Sequence, residues 1–254
     1  MNVLSLFAGI GGIDLGLQRA GMRIVGQVEI DPYCRAVLAR HWPEVPRHDD
    51  VRTAVAWWLE TARPAVDLIA GGFPCQDVSE AGRRTGIDGE RSGLWAYFAQ
   101  IIRALRPRYV LVENTRGLLV RGMGRVVGDL ANLGYDAEWD CIPAAAVGAP
   151  HVRARMWILA YPSGIGRNAS GPQARILGAQ PPTQAQHWSL HVPEPFGSPR
   201  AGGRDAGYGL DGRVADGVPS GLDLARIAAC GNAVVPQVVE HIGRLILAAE
   251  AVSA

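Results

Sequence analysis

A strand, a glycine turn and a helix open the chain in immediate succession, and that order leaves few folds available. Asn2-Val3-Leu4-Ser5-Leu6-Phe7 is an apolar run of strand length, Ala8-Gly9-Ile10-Gly11-Gly12 is a tight turn, and Ile13 to Ala20 reads as a helix stopped by Gly21. In doubly wound sheets this is where nucleotides bind, because missing Cβ atoms and free backbone N–H groups let a ligand approach closely. The spacing is not the GxGxxG of dinucleotide sites, and such turns also serve packing alone.

The alternation continues along the chain. Arg23 to Glu29 predicts a second strand, and Asp31-Pro32 starts a helix that runs through His41. Glu29 ends its strand about 20 residues after the glycine turn, where a carboxylate accepts ribose hydroxyls in such folds; the plainer reading is a solvated strand-end acid. His48-Asp49-Asp50-Val51 closes a short third element, and a helix over Ala54 to Ala62 packs Trp57 and Trp58. Val66 to Ala70 predicts a buried strand broken by Gly71-Gly72 and followed by Phe73-Pro74-Cys75. A helix over Gly93 to Leu105, capped by Ser92, aligns Leu94, Phe98, Ile101, Ile102 and Leu105 on one stripe. Tyr109 to Val112 then leads into Glu113-Asn114-Thr115. A helix over Gly124 to Leu133, strands over Tyr135 to Ile142 and Met156 to Tyr161, and a last helix over Gln237 to Ala251 complete an α/β, doubly wound fold.

Cys75 is the candidate nucleophile, set against the commoner role of cysteine as a small buried hydrophobe. Residues 76–93 are polar, with Gly82, Gly86, Gly89 and Gly93 among Arg83, Arg84 and Arg91, the composition of a closing arm or of a surface loop. Glu113 is the second chemical candidate, since a carboxylate at the carboxyl end of a parallel strand faces the ligand crevice. Arg153 and Arg155 share one side of an extended segment by period-two alternation, fit either for a solvated edge or for an anion or base edge. From Ser163 to about Gly221 apolar residues thin out, which predicts a small loop-rich lobe.

Composition narrows the classes. The 254 residues, 48% hydrophobic, suffice for one large domain or a domain plus a lobe. No apolar run reaches the ~20 residues of a membrane span, and no secretory leader is recognisable, so a cytoplasmic protein is expected. Cys34, Cys75, Cys141 and Cys230 lie far apart, which argues against a zinc cluster or disulfide framework. The net charge of +1 hides basic stretches: nine Arg against five acids over 76–125, and seven against three over 150–213. Arginine suits phosphate and guanine contacts, so a polyanionic partner fits.

With these motifs assembled, the chain resembles the DNA cytosine-5 methyltransferase family, compact bacterial and phage type. Five elements occur in family order: Phe7-Ala8-Gly9-Ile10-Gly11-Gly12, Pro74-Cys75-Gln76 with Ser79, Glu113-Asn114-Thr115, Arg153-x-Arg155, and Gly231-Asn232-Ala233-Val234-Val235-Pro236. Thr115 stands where the family has valine, and His151 where it has glutamine.

The resemblance implies a Rossmann-like, S-adenosylmethionine-dependent methyltransferase sheet over 1–161, a short target-recognition lobe over 162–221, and a carboxyl-terminal motif and helix over 222–254 that pack back on the catalytic domain. It implies that Cys75 adds to C6 of a flipped-out cytosine, that Glu113 holds or protonates N3, and that Arg155 with Arg153 binds the O2 side. S-adenosylmethionine would be held by Phe7, Ala8, Gly9, Gly11, Gly12, Glu29, Ile30, Asp50, Val51, Pro74, Leu94, Asn232 and Val234. Gln76, Ser79, Arg83, Arg84 and Asn114 would meet double-stranded DNA. No metal is implied, and a monomer is expected, with a cognate restriction endonuclease as a separate protein. The competing readings are a tRNA cytosine-5 methyltransferase of the same fold, an inactive DNA-binding homologue, and a nicotinamide-dependent oxidoreductase, the last disfavoured by the glycine spacing.

Overall fold

The computed structural model describes residues 1–74, 93–164, 176–177 and 228–253. The elements are β1 (Asn2–Leu6), α1 (Gly12–Arg19), β2 (Arg23–Val28), α2 (Pro32–His41), β3 (Arg47–His48), α3 (Ala54–Leu59), β4 (Leu68–Gly72), α4 (Leu94–Leu105), β5 (Tyr109–Asn114), α5 (Leu118–Arg121), α6 (Met123–Asn132), β6 (Tyr135–Ile142), β7 (Arg155–Pro162) and α7 (Pro236–Ser253). The seven strands form one sheet in the order β3-β2-β1-β4-β5-β7-β6. The first five are mutually parallel, and β7 inserts antiparallel between β5 and β6.

Both faces of the sheet are covered, so its central strands are largely apolar on both sides. Along β5, Val110 and Val112 join one core while Tyr109 and Leu111 join the other; along β7, Met156, Ile158 and Ala160 alternate in the same way with Trp157 and Leu159. The first core receives Trp58 of α3, Trp95, Phe98, Ile101 and Ile102 of α4, and Val126 and Leu130 of α6. The second receives Ile13 and Leu17 of α1 and Val238, Val239, Ile242 and Ile246 of α7.

Two glycines bring α1 and α7 together. A Cβ at Gly16 would stand 2.5 Å from both the Pro236 carbonyl oxygen and Val239 Cβ, and one at Gly243 would stand 2.7 Å from Ala20 Cβ. The last helix therefore seats directly on the first, and carries the preceding residues 231–235 to the glycine turn.

The element boundaries differ from the sequence expectation where strands run into the site. Gly71-Gly72 does not break β4 but completes it, and Glu113 and Asn114 belong to β5, because ladder pairing to the neighbouring strand continues through Gly71↔Val112, Gly72↔Glu113 and Asn114↔Met156. A short helix, α5, also precedes α6, separated from it by Gly122. No helix among the described residues is long and apolar enough to cross a membrane. Most of the expected lobe at 162–221 lies outside the described residues.

Candidate active site

The glycine turn leaves β1 through Phe7, whose φ is 52°, and continues through Gly9 at φ 55° and Gly11 at φ 87°. A Cβ at Gly9 would point into open space, whereas one at Gly12 would stand 2.9 Å from the Val234 carbonyl oxygen. One side of the turn thus faces open space and the other is pressed against the carboxyl-terminal segment. Glu29, just after β2, ties into the turn: its Oε2 accepts from Gly9 N at 2.7 Å and its Oε1 from Asp31 N at 2.8 Å. Arg35 Nη1 donates to the carbonyls of Glu29 and Ile30 at 2.9 and 2.6 Å.

Apart from the glycines, the residues expected to hold a cofactor are mostly apolar, with two carboxylates among them. The Phe7 ring stacks on Phe98 with centroids 6.3 Å apart, Leu94 packs on the same core, and Ile30 remains 66% exposed. Ala8 and Val51 are buried, while Asn232 is exposed and Val234 half-buried. Asp50 is held by Arg52, whose Nε reaches both carboxylate oxygens at 2.9 and 3.0 Å; this hydrogen bonding keeps the Asp50 pKa below the usual carboxylate range. An exposed aliphatic side chain, a partly open ring and a strand-end carboxylate fit an adenosine group, and a backbone turn without side chains fits the portion beyond it.

Beneath the turn lies a polar cluster that the sequence reading missed. Asp14 is fully buried and accepts from Ser5 Oγ at 2.9 Å and from Gln27 Nε2 at 2.8 Å. Burial raises the Asp14 pKa, partly offset by these two hydrogen bonds and by Arg47. The signal was available: Ser5, Asp14 and Gln27 each occupy a position that the apolar pattern assigns to the core.

The second half of the site sits at the carboxyl ends of β4 and β5. Glu113 pairs with Gly72 on one side and Trp157 on the other, and its side chain is 13% exposed. Arg155 at the start of β7 places Nε 3.1 Å from Glu113 Oε1. Burial pushes the Glu113 pKa up from 4.5 to about 7, against the opposing pull of Arg155 and then Arg153. Asn114, which is buried, donates through Nδ2 to the Phe73 carbonyl at 3.2 Å and accepts from Thr115 N at 2.8 Å, so it holds the chain two residues before Cys75. Pro74 is the last described residue there. Cys75, Gln76, Ser79, Arg83 and Arg84 lie outside the described residues.

The arginine pair is not arranged as period-two alternation predicts. Arg153 precedes β7, with φ 25°, and turns to the carboxyl-terminal segment, where Nη2 donates to the Gly231 and Ala233 carbonyls at 2.7 and 2.5 Å. The reason is the positive φ, which breaks the extended geometry that alternation requires. Arg155 alone contacts Glu113, while Arg153 ties that region to residues 231–233. Cys34 is buried, and burial with nearby Glu29 and Asp31 pushes its thiol up to about 12, the opposite of what a nucleophile needs.

A sheet of this order with helices on both faces and one antiparallel strand is the Rossmann-like fold of S-adenosylmethionine-dependent methyltransferases. Within that class the chain belongs to the C-5 cytosine-specific DNA methylase family, whose profile matches residues 1–190. It is 39% identical to the type II methyltransferase M2.BsuMI of Bacillus subtilis over 168 residues, 63% of this chain and 42% of that protein. It is 37% identical to the type II methyltransferase M.Eco47II of Escherichia coli, over 63% of this chain and 39% of that protein. A crystal structure described as a prophage-encoded DNA modification methyltransferase of E. coli superposes with a TM-score of 0.54 at 27% identity, covering 64% of this chain and 47% of that one. The chain thus spans less than half the length of these relatives.

Proposed function

We propose that this protein is a DNA (cytosine-5)-methyltransferase acting on a cytosine flipped out of double-stranded DNA. The observation that carries the reading is the half-buried Glu113–Arg155 pair at the end of β5, beside the strand that leads into Pro74-Cys75. A carboxyl with a pKa near 7 exchanges a proton with a ring nitrogen at neutral pH, and the adjacent guanidinium orients it. The family membership and the type II methyltransferase relatives support the same substrate.

In this reading the Cys75 thiolate adds to C6 of cytosine, which opens the C5–C6 double bond and makes C5 nucleophilic. Glu113 delivers a proton to N3 as negative charge develops there, and Arg155 stabilises the O2 side. S-adenosylmethionine, when bound, supplies the electrophilic methyl group that C5 takes. Loss of the C5 proton then expels the Cys75 thiolate, N3 returns its proton to Glu113, and the aromatic ring is restored. Phe7 and Ile30 flank the adenine, with Ala8, Val51, Pro74 and Leu94 beside them. Glu29 and Asp50 offer carboxylates to the ribose and the adenine amino group. Gly9, Gly11 and Gly12 leave room for the methionine portion, and Asn232 and Val234 close the pocket.

Arg153 takes a positioning role, because its side chain is committed to Gly231 and Ala233. Gln76, Ser79, Arg83 and Arg84 grip the DNA, Asn114 holds Phe73 two residues before Cys75, and residues 162–221 read the target. The protein works as a cytoplasmic monomer, with any restriction endonuclease a separate partner.

Bisulfite sequencing of DNA from cells expressing the full chain, without their own cytosine methyltransferases, tests this. Protected cytosines at one recurring short site, absent with Cys75→Ala, are expected; no protection anywhere, with the protein soluble and abundant, would refute the reading.

A further inference from the structure

The edge strand β6 carries one buried carboxylate. Glu138 is 6% exposed and pairs with Leu159 of β7. Leu159 belongs to the second core, together with Trp157, Ile142, Ala144 and Ala149. Two residues from much later in the chain, Ile176 and Leu177, enter that core at 6% and 3% exposure. They arrive on Glu138: its Oε1 accepts from Ile176 N at 2.9 Å and its Oε2 from Leu177 N at 3.4 Å.

Successive backbone N–H groups converging on one carboxylate form an anion-binding nest, here closed by a side chain of the same protein. Burying a carboxylate is costly unless donors meet it, and an aliphatic residue would fill the position without that cost. What the carboxylate adds is an address. Its two oxygens accept from two consecutive amides while the two aliphatic side chains enter the core, so a slip of one residue breaks the hydrogen bonds and misplaces the side chains together.

We propose that Glu138 is a positioning residue for DNA recognition: by accepting from the amides of residues 176 and 177 it fixes that pair on the edge strand β6. This rests on the reading of the protein as a DNA methyltransferase whose residues 162–221 read the target. Glu138 stands two strands away from Glu113 in the sheet order and acts through the clasped segment.

The test uses the full chain carrying Glu138→Ala or Glu138→Gln, with three readouts. Amide hydrogen exchange is followed in peptides covering 176–177 and in peptides covering β5 and β7. Equilibrium binding is measured to the duplex site found by bisulfite sequencing, and separately to S-adenosylmethionine. In Glu138→Ala, exchange at 176–177 accelerates while β5 and β7 are unchanged, and the DNA dissociation constant rises about tenfold, the scale of one hydrogen bond to a charged group. Cofactor affinity stays the same. Glu138→Gln, which keeps one acceptor oxygen, falls between.

Unchanged exchange at 176–177 overturns the clasp, and unchanged DNA affinity with accelerated exchange overturns its role in recognition. Parallel loss of DNA and cofactor binding marks a merely structural residue and also overturns the proposal. A wild-type protein that neither binds nor methylates DNA counts against the functional reading itself. The recognition role then falls with it, and exchange alone decides whether the clasp exists.

Discussion

Gly72 and Glu113 face each other across the β4–β5 ladder, and a Cβ at residue 72 would stand 2.5 Å from Glu113 Oε2. The glycine at the end of β4 is what leaves room for the half-buried carboxylate. Gly72→Ala is therefore expected to displace Glu113 from Arg155 and lower kcat by about 100-fold, the usual cost of a misplacement near 1 Å. S-adenosylmethionine affinity, measured by calorimetry, should stay within a few-fold, because the glycine turn after β1 and Glu29 after β2 are untouched.

Glu113 also gives a pH signature. Its pKa is raised from 4.5 to about 7, so the stability contributed by its protonated form is fully present below about pH 4.5 and lost as pH rises through about 7. The shift corresponds to about 3 kcal/mol at full ionisation. Glu113→Gln lacks this titration; urea midpoints of the two proteins should diverge between pH 5 and pH 8, with the wild type losing more. In the same variant the alkaline fall of kcat/KM near pH 7 should disappear along with most of the activity.

Arg153 joins the entry of β7 to the carbonyls of Gly231 and Ala233, on either side of Asn232. Arg153→Ala is expected to weaken S-adenosylmethionine binding roughly tenfold by freeing that segment. Lysine cannot reproduce the planar guanidinium, so Arg153→Lys should recover only part of the affinity. Calorimetric titration of both variants checks this.

Asp14 holds Ser5 and Gln27 from the first turn of α1, beneath the glycine turn. Asp14→Ala removes the acceptor of two buried donors and should destabilise the fold by about 2–4 kcal/mol, read from urea unfolding.

Much of the fold was legible because the hydrophobic pattern carries it. The runs at Leu68–Ala70 and Tyr109–Val112, and Val3–Leu6 apart from Ser5, are apolar on both faces, which only a sheet covered on both sides requires. The α2 boundary was equally plain, since Asp31 Oδ1 caps Tyr33 N and Cys34 N ahead of Pro32. What pattern could not give was the behaviour of residues whose geometry depends on distant partners. Gly71-Gly72 reads locally as a break, yet the ladder to Val112 and Glu113 keeps it in the strand. Arg153 and Arg155 read as equivalent until a positive φ sends one of them to Gly231 and Ala233, 78 and 80 residues away. Glu138 looks like an ordinary edge-strand acid, and only the long-range return of Ile176 and Leu177 gives it a role.

The central claim is that Cys75 bonds to the cytosine ring. The most direct measurement incubates the protein and S-adenosylmethionine with duplex DNA bearing 5-fluorocytosine at the target position, followed by peptide mapping of the product. Fluorine cannot leave as a proton does, so the ring stays attached after methyl transfer. The account predicts a denaturation-resistant complex with the DNA on the Cys75 peptide, absent in Cys75→Ser. Methylation of ordinary DNA with no trapped complex, or a complex mapped to another residue, would contradict it.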